Sequence, residues 1–428
     1  MTTTLTAPSV RLPAGRSRRE PTKIAILSTY PPRRCGISCF TSHLYRGFVE
    51  VAPDLDVSVC AVDREGFRYG SEVTAILDQE DAASHRKTAA ALAVAGVEAV
   101  LVEHEFGIYG GPDGSWITSF TAELSAAGVP YLVTLHTVPA KPSRRQASVL
   151  QCLCRDAAAV TVFSPTAQQL AAAAGIRAER FVTVPHGAPE ALRSPDRERS
   201  GRSVRREVAE ALAELAGATV VSTFGLISPN KGLETAIAAV ADLVGDLPDL
   251  HYVIAGATHP EIVRRHGEGY RRTLGELIDD LGVGDHIRFL DFFLTDAEVS
   301  ALLACSTAFL TPYRSQDQIG SGALTFALAA GCPVVSASFF YAEDMLATGG
   351  GLLAEPGDAA AYTAALRRML TEPGHLPRAA RAARTAGADL VWPLIARQTA
   401  DVIQNAVVRH DRLAVLEARP PAGVPSQR

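Results

Sequence analysis

Apolar, β-branched runs recur along this chain at intervals that leave room for about one helix between neighbours, and this alternation narrows the fold more than any other feature. The first series is KIAILSTY at 23–30, VSVCAVD at 57–63, EAVLVEHE at 98–105, YLVTLHT at 131–137, AVTVFS at 159–164 and FVTVPHG at 181–187. A second begins with VVSTFG at 220–225 and continues through YVIAGA at 252–257, IRFLDFF at 287–293, AFLTPY at 308–313, PVVSAS at 333–338 and GLLAEP at 351–356. Near-continuous apolar strands separated by helices build parallel sheets covered on both faces. The expected class is therefore α/β, with two Rossmann-like, doubly wound domains facing each other across a cleft.

The break between the series falls where composition shifts, from Ala188 to Gly217, with the charged turn Pro195-Asp196-Arg197-Glu198-Arg199-Ser200-Gly201 inside it. This sets expected boundaries: an arm at 1–22, a first domain at 23–190, a second at 191–390, and a tail at 411–428. The stretch VWPLIARQTADVIQNAVV at 391–408 has apolar positions at helical spacing and no strand to serve. A helix at about 391–410 that returns to the first domain accounts for it. From Arg419 the tail is Pro-rich.

Composition excludes several classes. Hydrophobic residues at 47% and charged residues at 20% describe a folded globular chain. A formal net charge of −5 gives no general attraction to nucleic acid or anionic lipid. No apolar run reaches the roughly 18 residues of a membrane span, and the first twenty residues, with four arginines and no apolar core, do not read as a signal peptide. The seven cysteines are scattered without CxxC spacing, which suits a reducing cytoplasm. The expected partners are small ligands, with no nucleic acid and no integral membrane contact, and the state a monomer or homodimer.

Ligands of open α/β sheets bind at the carboxyl ends of the strands, so the polar residues there are the candidates. The stretch Thr311–Ser336 reads as a strand end, a loop with Arg314, Asp317 and Gln318, a helix start at Gly320-Ser321-Gly322, and a buried strand. Small residues at a helix start leave N–H groups open to a phosphate, aided by the helix dipole. The same pattern also suits a plain serine cap. Lys231 follows FGLISPN and precedes a helix, where it either pairs with a diphosphate or sits at a surface turn. His136 ends its strand, as a cleft group or bonded to backbone. Glu103 and Glu105 share one side of theirs, as ligands for a cation or sugar hydroxyl or as a solvated strand end. Asp54-Leu55-Asp56 precedes its strand and so belongs to the opposite rim.

In this order, PPRRCGISCFTSHL, VEHEFGIYGG, TLHTVPAKPS, VPHGAP, FGLISPNKGLE and ALAAGCPVVS resemble the retaining group 1 glycosyltransferases of family 4 over roughly residues 23–408. The resemblance implies the GT-B fold, a nucleoside-diphosphate sugar as co-substrate, and no metal ion or other cofactor. It implies donor contacts at Gly36, Gly225, Lys231, Gln318 and Gly320-Ser321-Gly322, with Arg314 and Asp317 as nearby substitutes for absent groups. It places the acceptor near Cys35, Glu105 and His136, and gives His136, Lys231 and Gln318 to catalysis. Gly225-Leu226-Ile227 stands where the family has Gly-Arg-Leu, and Gln318 and Phe326 stand where it has two glutamates, the first meeting the donor sugar and the second the ribose. Asp317 or Glu343 could supply a neighbouring carboxylate. GDP is weakly favoured through mannosyl-transferring relatives. The implied activity is sugar transfer to a small-molecule or glycan acceptor, including an unusual sugar or a thiol acceptor of specialised metabolism; the alternatives are a phosphorylase-like reaction and a non-catalytic nucleotide- or sugar-binding homologue.

Overall fold

The computed structural model describes residues 23–176, 181–193 and 204–417, with side chains up to 410. The expected arm at 1–22, the charged turn at 195–201 and the tail from Arg419 lie outside the described residues. The strands of the first half are β1 (Lys23–Ser28), β2 (Asp56–Asp63), β3 (Val73–Asp78), β4 (Ala99–His104), β5 (Tyr131–Leu135), β6 (Ala159–Val162) and β7 (Phe181–Thr183). They form one parallel sheet in the order β3-β2-β1-β4-β5-β6-β7. The second half supplies β8 (Thr219–Phe224), β9 (Leu250–Ala255), β10 (Ile287–Leu290), β11 (Ala308–Thr311), β12 (Val334–Ala337) and β13 (Gly351–Ala354), in the order β10-β9-β8-β11-β12-β13. Every pairing is parallel. Chain direction along each sheet reverses beside its first strand, between β1 and β4 and between β8 and β11, which puts one crevice in each sheet.

The expected strands all form, and most end two or three residues before their apolar runs do. The residues left over, such as His136-Thr137 after β5, become the rim. One strand escaped the expectation: β3 is the edge of its sheet, alternates exposed and half-buried positions, and leaves Ile76 53% exposed. Its run is not continuously apolar because only one side of it is covered.

Helix packing, a shared core residue and the paired chain links join the halves. The last helix, Trp392–Glu417, continues past the expected end near 410 and lies against the first helix, Gly36–Val51. A Cβ on Gly47 of that first helix would lie 2.7 Å from the Ala396 Cβ, so glycine permits the close crossing. Ile319, from the loop after β11, is 1% exposed and sits in the core cluster of the first sheet. The chain links run side by side, with Ala188 N–H donating to Leu390 O at 2.6 Å and Trp392 N–H to Ala188 O at 3.0 Å.

Candidate active site

A cavity of about 770 Å³ opens between the carboxyl rims of the two sheets. Cys35, Gly36, Glu105 and His136 line it from the first half, and Gly225, Lys231, Gln318, Gly320, Ser321 and Gly322 from the second. These are ten of the expected residues, brought together by the two crevices.

At the second sheet, Lys231 closes a short turn before the helix Leu233–Val244. Its Nζ donates to the Tyr313 hydroxyl at 3.1 Å and lies 4.2 Å from that ring's centroid. The Tyr313 hydroxyl is in turn 3.3 Å from Ser321 Oγ. Ser321 caps the helix Gly322–Ala329 by accepting the Leu324 N–H at 3.3 Å, so the serine-cap reading holds. Gly322 and Ala323 have N–H groups with no intrahelical acceptor, and both residues line the cavity. An ammonium and a helix start thus converge, which is an arrangement suited to a diphosphate.

The reason for the glycines differs from the expectation. A Cβ on Gly320 would lie 2.6 Å from Phe163, and one on Gly322 would lie 3.1 Å from the His186 ring. Both small residues are needed because first-half aromatics press against the helix start.

The first half supplies a buried pair. His136 Nε2–H donates to Glu103 Oε2 at 2.8 Å, and Glu103 is fully buried, also accepting from Thr134 Oγ1 at 3.3 Å. Glu103 is therefore spent on His136 and is not a ligand for a cation or sugar, contrary to one reading of the sequence. Glu105 lines the cavity while accepting the Thr137 hydroxyl and the Phe106 N–H. Edge-on contacts from Phe40 at 4.8 Å and Phe163 at 5.1 Å hold the His136 ring. Burial lowers His186 to about 3, and its Nδ1 is bonded to Gly187 O at 2.7 Å.

Cys35 places its Sγ where the Ser38 N–H donates at 3.3 Å, capping the first helix at the cleft. Cys39, one turn on, also lines the cavity, and its thiol is pushed up to about 12 by desolvation.

Arg314, Asp317 and Glu343 correct the expectations. Arg314 turns to Glu234 at 3.2 Å, with its own side chain 52% exposed, and does not line the cavity. Asp317 accepts the Ala140 N–H at 3.4 Å across the domain junction, and Glu343 is exposed and accepts from Ser338. None of the three supplies the absent arginine or carboxylate. Phe326 packs on Phe224 with ring centroids 6.0 Å apart and meets His43 at 6.2 Å. Asp54-Leu55-Asp56 lies at the amino edge, where Asp56 pairs with Lys23.

Sequence reading missed the residues that bridge the cleft. His43 Nε2 lies 2.8 Å from Asp296 Oδ2, and Arg64 reaches Glu261 at 3.3 Å. Arg64 directly follows β2, so the strand-end rule that selected the other candidates reaches it as well. Among the described residues, no helix is long and apolar enough to cross a membrane, and no group of three or more His, Cys, Asp or Glu is placed to hold a metal ion.

Residues 204–386 match the family model described as glycosyl transferases group 1. The chain is 30% identical over 263 residues to the D-inositol 3-phosphate glycosyltransferase of Streptomyces griseus, covering 60% of this chain and 51% of that protein. It is 28% identical over 275 residues to the 2-deoxystreptamine glucosyltransferase of Streptomyces kanamyceticus, covering 60% of this chain and 65% of that one. The matched part is thus about half the length of the first relative. Among solved structures, sucrose-phosphate synthase from Thermosynechococcus elongatus superposes with a TM-score of 0.72 at 17% identity, over 90% of this chain and 98% of that one. HepE from Anabaena, in complex with UDP and glucose, gives 0.69 at 18% identity, over 90% and 100%. The fold is GT-B. Its second domain carries the group 1 glycosyl transferase pattern, and the chain as a whole resembles that group.

Proposed function

We propose that this chain is a retaining glycosyltransferase that moves a sugar from a nucleoside diphosphate to a small-molecule or glycan acceptor, in the cytoplasm and without a metal ion. The observation that carries the reading is the linked set Lys231, Tyr313 and Ser321, which joins an ammonium to a helix start inside the cleft. In this reading Lys231 and Gly320-Ser321-Gly322 stabilise the diphosphate as it leaves. His136 and Gln318 orient the transferred sugar, with Gly36 and Gly225 close to it. Cys35, Glu105 and the face of His136 turned from Glu103 receive the acceptor. The GT-B fold and the group 1 match support the reaction class. The relative that glucosylates 2-deoxystreptamine supports an acceptor from specialised metabolism.

The test is incubation with GDP-, UDP-, ADP- and dTDP-sugars, with and without inorganic phosphate, followed by NMR of the anomeric proton. GDP is the nucleotide favoured here, and UDP, bound in the HepE complex, is its main competitor. Release of nucleoside diphosphate with the donor's anomeric configuration kept in the product is the expected result. Gln318 and Phe326 favour a second reading, because a glutamine cannot stabilise an oxocarbenium-like charge as a carboxylate does. Phosphate-dependent turnover without nucleoside diphosphate would support a phosphorylase-like enzyme. Tight nucleotide binding with no turnover would support a binding protein.

A further inference from the structure

One end of the cleft is lined by arginines that the diphosphate site does not use. Arg33 comes from the loop between β1 and the first helix, Arg64 directly follows β2, and Arg264 and Arg265 belong to the helix Pro260–His266 after β9. Three of them converge on a single carboxylate, Glu261. Arg264 Nη2 lies 2.7 Å from its Oε1, Arg265 Nε 2.6 Å from the same oxygen, and Arg64 Nη2 3.3 Å from Oε2. The protein therefore already holds one oxyanion between guanidiniums from both domains.

The geometry leaves capacity for another. A guanidinium offers five N–H donors. Arg33 spends Nη1 on Val62 O and Gln79 Oε1, Arg64 engages Glu65 and Glu261, Arg264 holds both Glu261 oxygens through Nε and Nη2, and Arg265 engages Glu261 through Nε, which leaves each guanidinium with donors to spare. Four guanidiniums, Arg33 included, face three carboxylates, namely Glu261, Glu65 beside Arg64 and Glu80 acting on Arg264, which leaves the group cationic by one. Guanidinium forks match phosphate and carboxylate bidentately.

We infer that this end of the cleft seats an anionic group, phosphate or carboxylate, on the acceptor, so that the acceptor is a charged sugar or polyol rather than a neutral one. The inference rests on the glycosyltransferase reading. Its logic is exchange: the incoming oxyanion takes donors of Arg64 and Arg264 from Glu261, while Arg265 stays on that carboxylate. A role confined to domain latching makes the opposite forecast for Glu261, because a latch weakens when its central carboxylate is removed.

The experiment is calorimetric titration of the full chain, saturated with the nucleoside diphosphate that binds it best, with glucose 6-phosphate, glucuronate, glucose and inorganic phosphate. Wild type is expected to bind the two charged sugars at least tenfold tighter than glucose, and glucose 6-phosphate tighter than inorganic phosphate. R64A and R264A should each lose about tenfold for the charged sugars with nucleotide affinity unchanged, and E261Q should gain affinity for them. Equal binding of charged and neutral sugars, a preference that survives R64A and R264A, weaker charged-sugar binding in E261Q, or inorganic phosphate binding as tightly as glucose 6-phosphate would each overturn the assignment. Failure of every nucleoside diphosphate to bind wild type would instead defeat the wider glycosyltransferase reading.

Discussion

Glu103 on β4 and His136, the residue just past the end of β5, meet at 2.8 Å, with the carboxylate wholly buried behind the imidazole. This contact spends the Nε2–H of His136 on the protein interior and gives the ring one orientation toward the cleft. Glu103→Ala should lower kcat about 100-fold, the scale of a misplaced positioning group, while Glu103→Gln, which keeps an acceptor oxygen, should recover part of the loss. Full turnover in the alanine variant would show that the contact is only structural.

Lys231 is tied to Tyr313 and through it to the helix start. Lys231→Ala should reduce kcat by roughly 10²–10³, the cost of one missing electrostatic donor at the reacting centre, with the melting temperature little changed. Tyr313→Phe keeps the ring under the ammonium and should cost far less. Near-wild-type turnover in Lys231→Ala would remove the leaving-group role.

Stability should fall as pH drops below neutrality. Burial lowers both His104 and His186 to about 3, against an unfolded value near 6.5. Between these values the unfolded chain binds protons that the native chain does not, so stability is present above about pH 6.5 and is lost on acidification. The slope is about 1.4 kcal/mol per pH unit for each histidine. Among the described residues neither ring nitrogen of His104 has a hydrogen-bond partner, and the ring stacks on Tyr109. Denaturant melts at pH 7.5 and 5.5 should show the loss, and His104→Phe should reduce it by about half. An unchanged slope would contradict burial of this side chain.

Ile319 comes from the loop of one domain and is buried in the core of the other. Ile319→Ala should destabilise by about 2–5 kcal/mol, as for other large-to-small core changes. Because it also loosens the junction beside Gln318, KM for the donor should rise more than kcat falls. Denaturation and steady-state kinetics on one preparation check both.

The architecture was legible because parallel strands buried on both faces advertise themselves as apolar runs. The edge strand β3, half in water, did not. Lys231, His136 and Gly320-Ser321-Gly322 were found by the strand-end rule, since the rim is fixed by topology. What side chains do at that rim depends on neighbours distant in sequence: Phe163 and His186 explain two glycines, Glu234 draws Arg314 outward, and Glu103 turns inward to His136. Arg64 and Glu261 are 197 residues apart and gain meaning only when the cleft closes them together.

The two chain links at Ala188 and Leu390–Trp392 bear on how the molecule is made. Trp392 packs on Phe40 at 5.0 Å and on His43 at 5.6 Å, so residues near the end of the sequence complete the domain that begins it. During synthesis the earlier half emerges first and begins to fold as a unit, but its outer helix arrives only after the whole second domain has been translated. The domain born first is therefore the last to be finished, and until then the bare face of its opening helix is exposed to whatever else is nearby.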